Sequence, residues 1–311
     1  MTSLGRVVIA LGGNALMTSS GESPSVSDEG TAARIAFDTI SPLIPSIPNL
    51  LIAYGNGPQV GTLLLRSELS ARQARLPRLP LDHLVADTAG GMGYLLVREL
   101  RNSLTHNGVK RSVVALLTQV LVQPGPTDPL KPVGPFYDEV GTTPPEPSYQ
   151  YRRQPDGRFR RVVPSPTPLE ILELEPIRTL FDSGVITVAG GGGVAITDSD
   201  GNFKGIEGVI DKDLTSSLLA RSLDADLFII LTNIDAVRTD FNSPMEQKLD
   251  STTTTELRLL QHKGSFREGS MAPKVEAAIA FSESAPDRRA IICHLNDVRE
   301  AIDGNAGTQV L

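Results

Sequence analysis

Six runs dominated by Val, Ile, Leu and Ala, each six to ten residues long, recur along the chain: Arg6–Leu11, Asn49–Tyr54, Ser112–Leu121, Gly184–Ala189, Asp226–Leu231 and Arg289–His294. They lack the in–out alternation of a sheet with one wet face, so they predict strands covered on both sides. Between them, apolar residues return at intervals of three and four over Ala32–Leu43, Gln59–Leu69, Thr88–Leu104, Pro168–Phe181, Leu214–Leu223 and Val275–Phe281. Such stretches lay one apolar stripe of a helix against a sheet. The pattern is that of an α/β protein.

The 311 residues suit one large domain or two fused lobes, and 40% hydrophobic with 21% charged residues is a globular balance. No window nears the roughly 18 uninterrupted apolar residues of a membrane helix. The N-terminus leads directly from Thr2-Ser3-Leu4-Gly5-Arg6 into the first apolar run, without the basic start and cleavage site of a signal peptide, so a cytoplasmic protein is expected. A net charge of −7 argues against a nucleic-acid partner, and 5% aromatics with no Trp argue against a base-stacking platform. Cys293 is the only cysteine, which excludes disulfides within the chain and cysteine-rich zinc sites. One segment breaks the composition. Gln123–Pro168 is dense in Pro, Gly, Arg and Tyr and too long for a simple loop, so it reads as an inserted subdomain. Thr18–Asp28, rich in Ser and Gly, reads as a surface loop.

Three glycine clusters follow strand-like runs: Gly12-Gly13-Asn14, Gly55-Asn56-Gly57 and Gly190-Gly191-Gly192-Gly193. Each alone is equally a tight turn. Together, beyond the carboxyl ends of parallel strands, they suit backbone amides approaching the oxygens of a small anionic ligand. The second cluster is one residue too long for the dinucleotide fingerprint, and the chain has no Gly-Lys pair for a P-loop. The four histidines show no metal-binding spacing, and no nucleophile elbow is present. Three lysines sit in turns or at helix starts, where the macrodipole repels a cation and an anionic partner is called for: Lys131, Lys212 and Lys274. For Lys212, in Asp211-Lys212-Asp213, the sequence leaves two readings open. An isolated triplet of this kind is more often a solvated surface ion pair, with Asp213 capping a helix that starts at Leu214. The other reading is catalytic. Any divalent ion would be Mg²⁺ held mainly by nucleotide phosphates, with Asp211 as its one protein carboxylate.

The segments VVIALGGNAL, GNGPQVG, KPVGPFY, RRVVPSP, AGGGGV, VIDKDLTSSLLA, LTNIDAV and GSMAPKVEAAI occur in the order and at about the spacing found in bacterial carbamate kinases. The chain resembles that family over essentially its whole length, down to the closing AGTQVL. The resemblance implies a three-layer α/β/α sandwich with a largely parallel central sheet (the amino-acid-kinase fold) and a small protruding subdomain at about 123–166. It also implies an acyl-substrate lobe, 1–183, and a nucleotide lobe, 184–311. The implied activity is reversible phosphoryl transfer between ATP and carbamate, in a homodimer that uses ATP or ADP with Mg²⁺. Carried over by residue, Gly12, Gly13 and Asn14 hold the transferring phosphoryl group, and Gly55, Asn56 and Gly57 lie beside the carbamate end. Lys131, Lys212 and Lys274 neutralise phosphates. Asp211 orients Lys212 and assists the metal, and Gly191, Gly192, Gly193, Asp213, Asp235, Met271 and Pro273 line the nucleotide. The chain departs from the family at Tyr54, where His is usual, at Thr88-Ala89-Gly90, where Ser-Gln-Gly is usual, and at Ala272, where Gly is usual. The first two lie on the acyl side. They keep open a kinase of the same fold with another small carboxylate acceptor, and a catalytically inactive nucleotide-binding regulator is the alternative of a different class.

Overall fold

The computed structural model describes residues 3–12, 25–123, 125, 129–137, 149–154, 156–240, 245–266 and 271–311. In chain order the first part comprises β1 (Arg6–Leu11), α1 (Val26–Ile40), β2 (Asn49–Tyr54), α2 (Gly57–Gln73), α3 (Leu81–His106), β3 (Val113–Ala115) and β4 (Gln119–Val122). Three strands of the inserted segment follow, β5 (Leu130–Tyr137), β6 (Tyr151–Arg153) and β7 (Phe159–Pro164). Next come β8 (Pro168–Ile171), α4 (Leu174–Asp182), β9 (Ile186–Gly190), β10 (Val194–Ser199), β11 (Asn202–Gly205) and α5 (Lys212–Ser222). The chain closes with β12 (Leu227–Thr232), β13 (Val237–Thr239), β14 (Gln247–Leu249), β15 (Ser251–Thr252), α6 (Thr254–His262), α7 (Ala272–Ser282), β16 (Arg289–His294), α8 (Val298–Ile302) and β17 (Thr308–Val310).

An eight-stranded sheet in the order β15-β17-β16-β12-β1-β2-β9-β3 forms the middle layer, parallel except where β17 runs against β16. Its central strands are apolar on both faces because both faces are covered. Val7, Ile9 and Leu11 of β1 enter one core with Phe37, Leu96 and Val298 from α1, α3 and α8. Val8 and Ala10 enter the other with Phe181, Leu219 and Ile279 from α4, α5 and α7. Fully burying a Leu, Ile or Phe contributes about 1.5–3 kcal/mol, so each alternate residue of β1 stabilises a different layer. The expected division at 183/184 falls just ahead of β9, which hydrogen-bonds between β2 and β3. Among the described residues no helix is long and apolar enough to cross a membrane.

Three expectations need correction. The run Ser112–Leu121 divides after Ala115: β3 stays in the large sheet, whereas β4 joins a four-stranded sheet, β11-β10-β4-β8. At the break Thr118 accepts from the Gly190 amide on Oγ1 and from the Val194 amide on its carbonyl, each at 2.9 Å. That residue leaves the sheet to hold both ends of the third glycine cluster. The stretch Pro168–Phe181 opens as a strand, and its helix begins only at Leu174. Pro164, Pro166 and Pro168 bias the chain ahead of it toward extended backbone. Finally α1 reaches back to Val26, closed by a capping box between Ser25 and Asp28, so the end of the expected Thr18–Asp28 loop is helical. Residues 18–24 lie outside those described. The inserted segment is a separate antiparallel sheet, β5-β7-β6. It stands on α2 and the start of α3 through Val133, Val163, Val60, Leu64 and Leu84.

Candidate active site

Because β1, β2, β9, β12 and β16 are parallel, the loops after them emerge at one edge of the sheet. From β1 the chain moves to β2 on one side and later to β12 on the other, and the crevice at such a reversal is where open α/β sheets bind ligands. Gly12 follows β1, its amide bonded to the Leu231 carbonyl at 3.0 Å. Gly13 and Asn14 lie outside the described residues. Gly55 and Asn56 follow β2, and Gly57 opens α2. Gly190–Gly193 follow β9, all four at positive φ between 75° and 114°, a run that only glycine adopts without strain. A Cβ on Gly191 would lie 3.4 Å from the Asn56 carboxamide and the Tyr54 ring, and one on Gly192 only 2.8 Å from the Ile210 carbonyl oxygen. The glycine run is therefore packed between the Gly55–Gly57 loop and the start of α5.

The three lysines converge there. Lys131 arrives on β5 of the inserted sheet and pairs with Asp211 Oδ2 at 2.7 Å. Lys212 Nζ lies 2.5 Å from Asp213 Oδ1, and Lys274, in the first turn of α7, lies 2.9 Å from Asp213 Oδ2. The side chains of Lys212, Asp213 and Lys274 are 15%, 3% and 14% exposed, so the solvated-pair reading of Asp-Lys-Asp fails. The triplet sits inside because its backbone starts a helix that buries Asp213 and then Thr215 to Ala220. Three cations against two carboxylates leave one positive charge uncompensated, at the positive end of the α5 dipole. Burial pushes the Lys212 ammonium below its ordinary pKa, and Asp213 opposes that shift. Burial alone would raise the Asp213 carboxyl, but Lys212 and Lys274 reverse this and hold it at about 2. An anion between the lysines would compensate the remaining positive charge and favour the charged form of Lys212.

Two assignments change. The N-cap of α5 is Asp211, whose Oδ1 accepts from the Asp213 amide at 2.9 Å, while Asp213 turns both oxygens to lysines. Asp213, and not Asp211, therefore orients Lys212. The Lys212 stem is set by Gly55: a Cβ there would lie 2.4 Å from Lys212 Cδ. Asp235 is held by Arg238 at 2.9 Å and, more loosely, by Lys248 at 3.9 Å, so its carboxylate partners are not the three lysines. Met271 and Pro273 begin α7 beside Lys274, and Met271 and Ala272 pack partly buried against the second core. Among the described residues no three His, Cys, Asp or Glu side chains group as a metal cage.

At the end of β2, Tyr54 is 2% exposed and donates its hydroxyl to the Ala89 carbonyl at 2.9 Å; burial drives its pKa well above the ordinary phenol value. Thr88 directs its hydroxyl proton to carbonyls of α3, Leu84 at 2.7 Å or Val85 at 3.0 Å, and accepts from Asn56 Nδ2 at 2.9 Å. Sequence reasoning passed over Thr118 and also Thr215, whose Oγ1 donates to the Gly192 carbonyl at 2.8 Å. Thr215 stands three residues beyond Lys212, one helical turn, a spacing that marks it as a neighbour of the site. It also missed Arg161, almost fully buried, which ties the inserted sheet to Glu207 at 2.7 Å.

Residues 5–294 match the model of the amino acid kinase family. Carbamate kinase of Pyrococcus furiosus is 41% identical over 312 residues, covering 98% of this chain and 99% of the relative. Carbamate kinase 2 of Staphylococcus aureus is 39% identical, with 98% of each chain covered. Carbamate kinase of Giardia lamblia bound to AMP-PNP superposes with a TM-score of 0.89 at 33% identity, over 99% of this chain and 98% of that one. An isopentenyl phosphate kinase of T. acidophilum shares the fold alone, at 13% identity and a TM-score of 0.56. The chain belongs to the amino acid kinase family and, within it, to the carbamate kinases.

Proposed function

We propose that the protein is an ATP-dependent carbamate kinase, and that Lys131, Lys212 and Lys274 with Asp211 and Asp213 form its phosphoryl-transfer centre. The observation that carries the residue assignment is the convergence of three lysines from three elements on one buried and one partly buried carboxylate, with the Lys212 stem beside Gly55. In the ATP-forming direction a β-phosphate oxygen of ADP attacks the phosphorus of carbamoyl phosphate. The new O–P bond forms as the acyl O–P bond breaks, and the electron pair leaves with carbamate. No proton need move, so the chemistry asks for in-line positioning and charge neutralisation, not for a general base. Lys212 is held over the transfer point by Asp213 and the absent side chain of Gly55. Lys274 serves the nucleotide side from α7, and Lys131 closes the centre from the inserted sheet. Gly12–Asn14 and the Gly55–Gly57 loop supply amides to the acyl phosphate. Both Asp211 oxygens already accept, from Lys131 and from the Asp213 amide, so the residues fit a Mg²⁺ carried by nucleotide phosphates with at most one oxygen from Asp211. Bound there, the ion would neutralise phosphate charge.

ATP formation from ADP and carbamoyl phosphate tests this reading. Turnover by the wild type, with kcat lowered at least about 10²-fold in Lys131→Ala and Lys212→Ala, is expected. Absence of turnover with carbamoyl phosphate overturns it.

We also infer a homodimer built across α3 and the free edge of β3. Gly90 and Gly91 occupy the exposed face midway along the 26-residue α3, where a Cβ would meet nothing within 4 Å, although each costs roughly 1 kcal/mol against Ala in a helix. Close approach of a second copy gives these glycines a reason, and Tyr94, 66% exposed, lies one turn further on. Light scattering should give about twice 33.2 kDa, and Gly91→Gln should shift the mass toward the monomer; a monomeric wild type removes the inference.

A further inference from the structure

The Asn56 carboxamide has one polar atom without a partner among the described residues, and its neighbours decide which atom that is. Its carboxamide faces two groups of α3, the Val85 carbonyl at 3.3 Å and Thr88 Oγ1 at 2.9 Å. A carbonyl only accepts. Thr88 also presents a lone pair, because its proton is directed to the Leu84 or Val85 carbonyl. Both neighbours therefore demand the NH₂ end of Asn56, and a flipped amide would set oxygen against oxygen. With both amide hydrogens so engaged, Oδ1 has no donor among the described residues and is not sealed from solvent. Two further contacts fix the amide. It packs close to Gly191, where a Cβ would lie 3.4 Å from its Cγ and Nδ2, and Tyr54 ties the next part of α3 to β2 through the Ala89 carbonyl. Asn56 is adjacent in the chain to Gly55, against which the Lys212 stem is packed. Asn56 Oδ1 is thus a fixed acceptor one residue along the chain from the packing partner of the Lys212 stem.

Resting on the phosphoryl-transfer reading above, we propose that Asn56 Oδ1 accepts a hydrogen bond from the amino group of the carbamoyl substrate. Thr88 is the positioning residue that fixes this polarity, so the site distinguishes –NH₂ from –CH₃ on the acyl carbon. The two groups differ little in size. An acetyl substrate would bury Oδ1 against a methyl and leave it unsatisfied, a penalty that a hydrogen-bonding site imposes and an apolar pocket does not.

The test compares kcat/KM for carbamoyl phosphate and acetyl phosphate, with ADP, in wild type, Thr88→Val, Thr88→Ser and Asn56→Leu. The wild type should favour carbamoyl phosphate by at least about 10²-fold. Thr88→Val, which offers no lone pair, should lower that ratio at least about tenfold with the KM for ADP unchanged. Thr88→Ser should keep the ratio. Asn56→Leu removes the acceptor while leaving the Thr88 hydroxyl bonded within α3, and should lower the ratio even if the valine variant folds poorly. Parallel losses for both substrates, with the ratio kept in Thr88→Val and Asn56→Leu, would show a merely structural role and overturn the proposal. So would a wild type that uses acetyl phosphate equally well. A wild type inert toward carbamoyl phosphate instead overturns the kinase reading itself and is seen before any variant is compared.

Discussion

Replacing Asp213 by Asn removes the one carboxylate that two buried lysines share. The side chain is 3% exposed, with Lys212 at 2.5 Å and Lys274 at 2.9 Å. Taking one partner out of a buried ion pair costs about 3–5 kcal/mol, because the remaining charge stays desolvated, and here two ammoniums are left facing each other. Unfolding entropy of about 2.1 cal/mol/K per residue over 311 residues is about 0.65 kcal/mol/K, so the loss corresponds to about 5–8 °C in Tm. Calorimetry at pH 7.5 without ligand or phosphate measures it. The pH dependence provides an independent check. The native carboxyl is held at about 2 against an ordinary 3.8, so its stabilising share, about 2–3 kcal/mol, is complete above pH 5 and lost as pH falls toward 2. The gap between wild type and Asp213→Asn should close over that window. ADP with carbamoyl phosphate should also narrow it, since ligand oxygens then face the lysines. If the variant melts within about 1 °C of wild type at pH 7.5, the carboxylate does not compensate buried charge and the account of the site's electrostatics is wrong.

Gly55→Ala should lower kcat about 10²-fold by forcing the Lys212 stem aside and displacing the ammonium; wild-type kcat would show that the stem's path is irrelevant. Cys293 is fully buried, and burial, with Asp297 adding to it, pushes its thiol up to about 12. Ellman's reagent should therefore find no thiol in the native protein and one per chain in denaturant, whereas rapid release from the native protein would contradict the packing of β16.

Much of the architecture was readable because a strand buried on both faces has to be apolar at every position, and five of the six apolar runs became neighbours in one sheet as they stood. The run from Ser112 to Leu121 misled because continuous apolarity does not say where a chain leaves a sheet. Thr118 and Gln119, the adjacent polar pair inside that run, were the signal. The inserted segment was visible in its composition, but its contribution of Lys131 to a carboxylate 80 positions away was not.

By itself the sequence determined the α/β class, the glycine loops after β2 and β9, and the three lysines, because each is a local demand of burial, close approach, φ or charge near a helix start. It did not determine whether Lys212 faces water or the interior, which of Asp211 and Asp213 caps α5, or that Asp235 belongs to Arg238. Those outcomes depend on which elements meet: β5 brings Lys131 to Asp211, α7 brings Lys274 to Asp213, and Asp213 with Thr215 to Ala220 is buried against the sheet. A charge triplet has the same local chemistry on a surface as in a cleft, and only the surrounding elements set how much water it keeps.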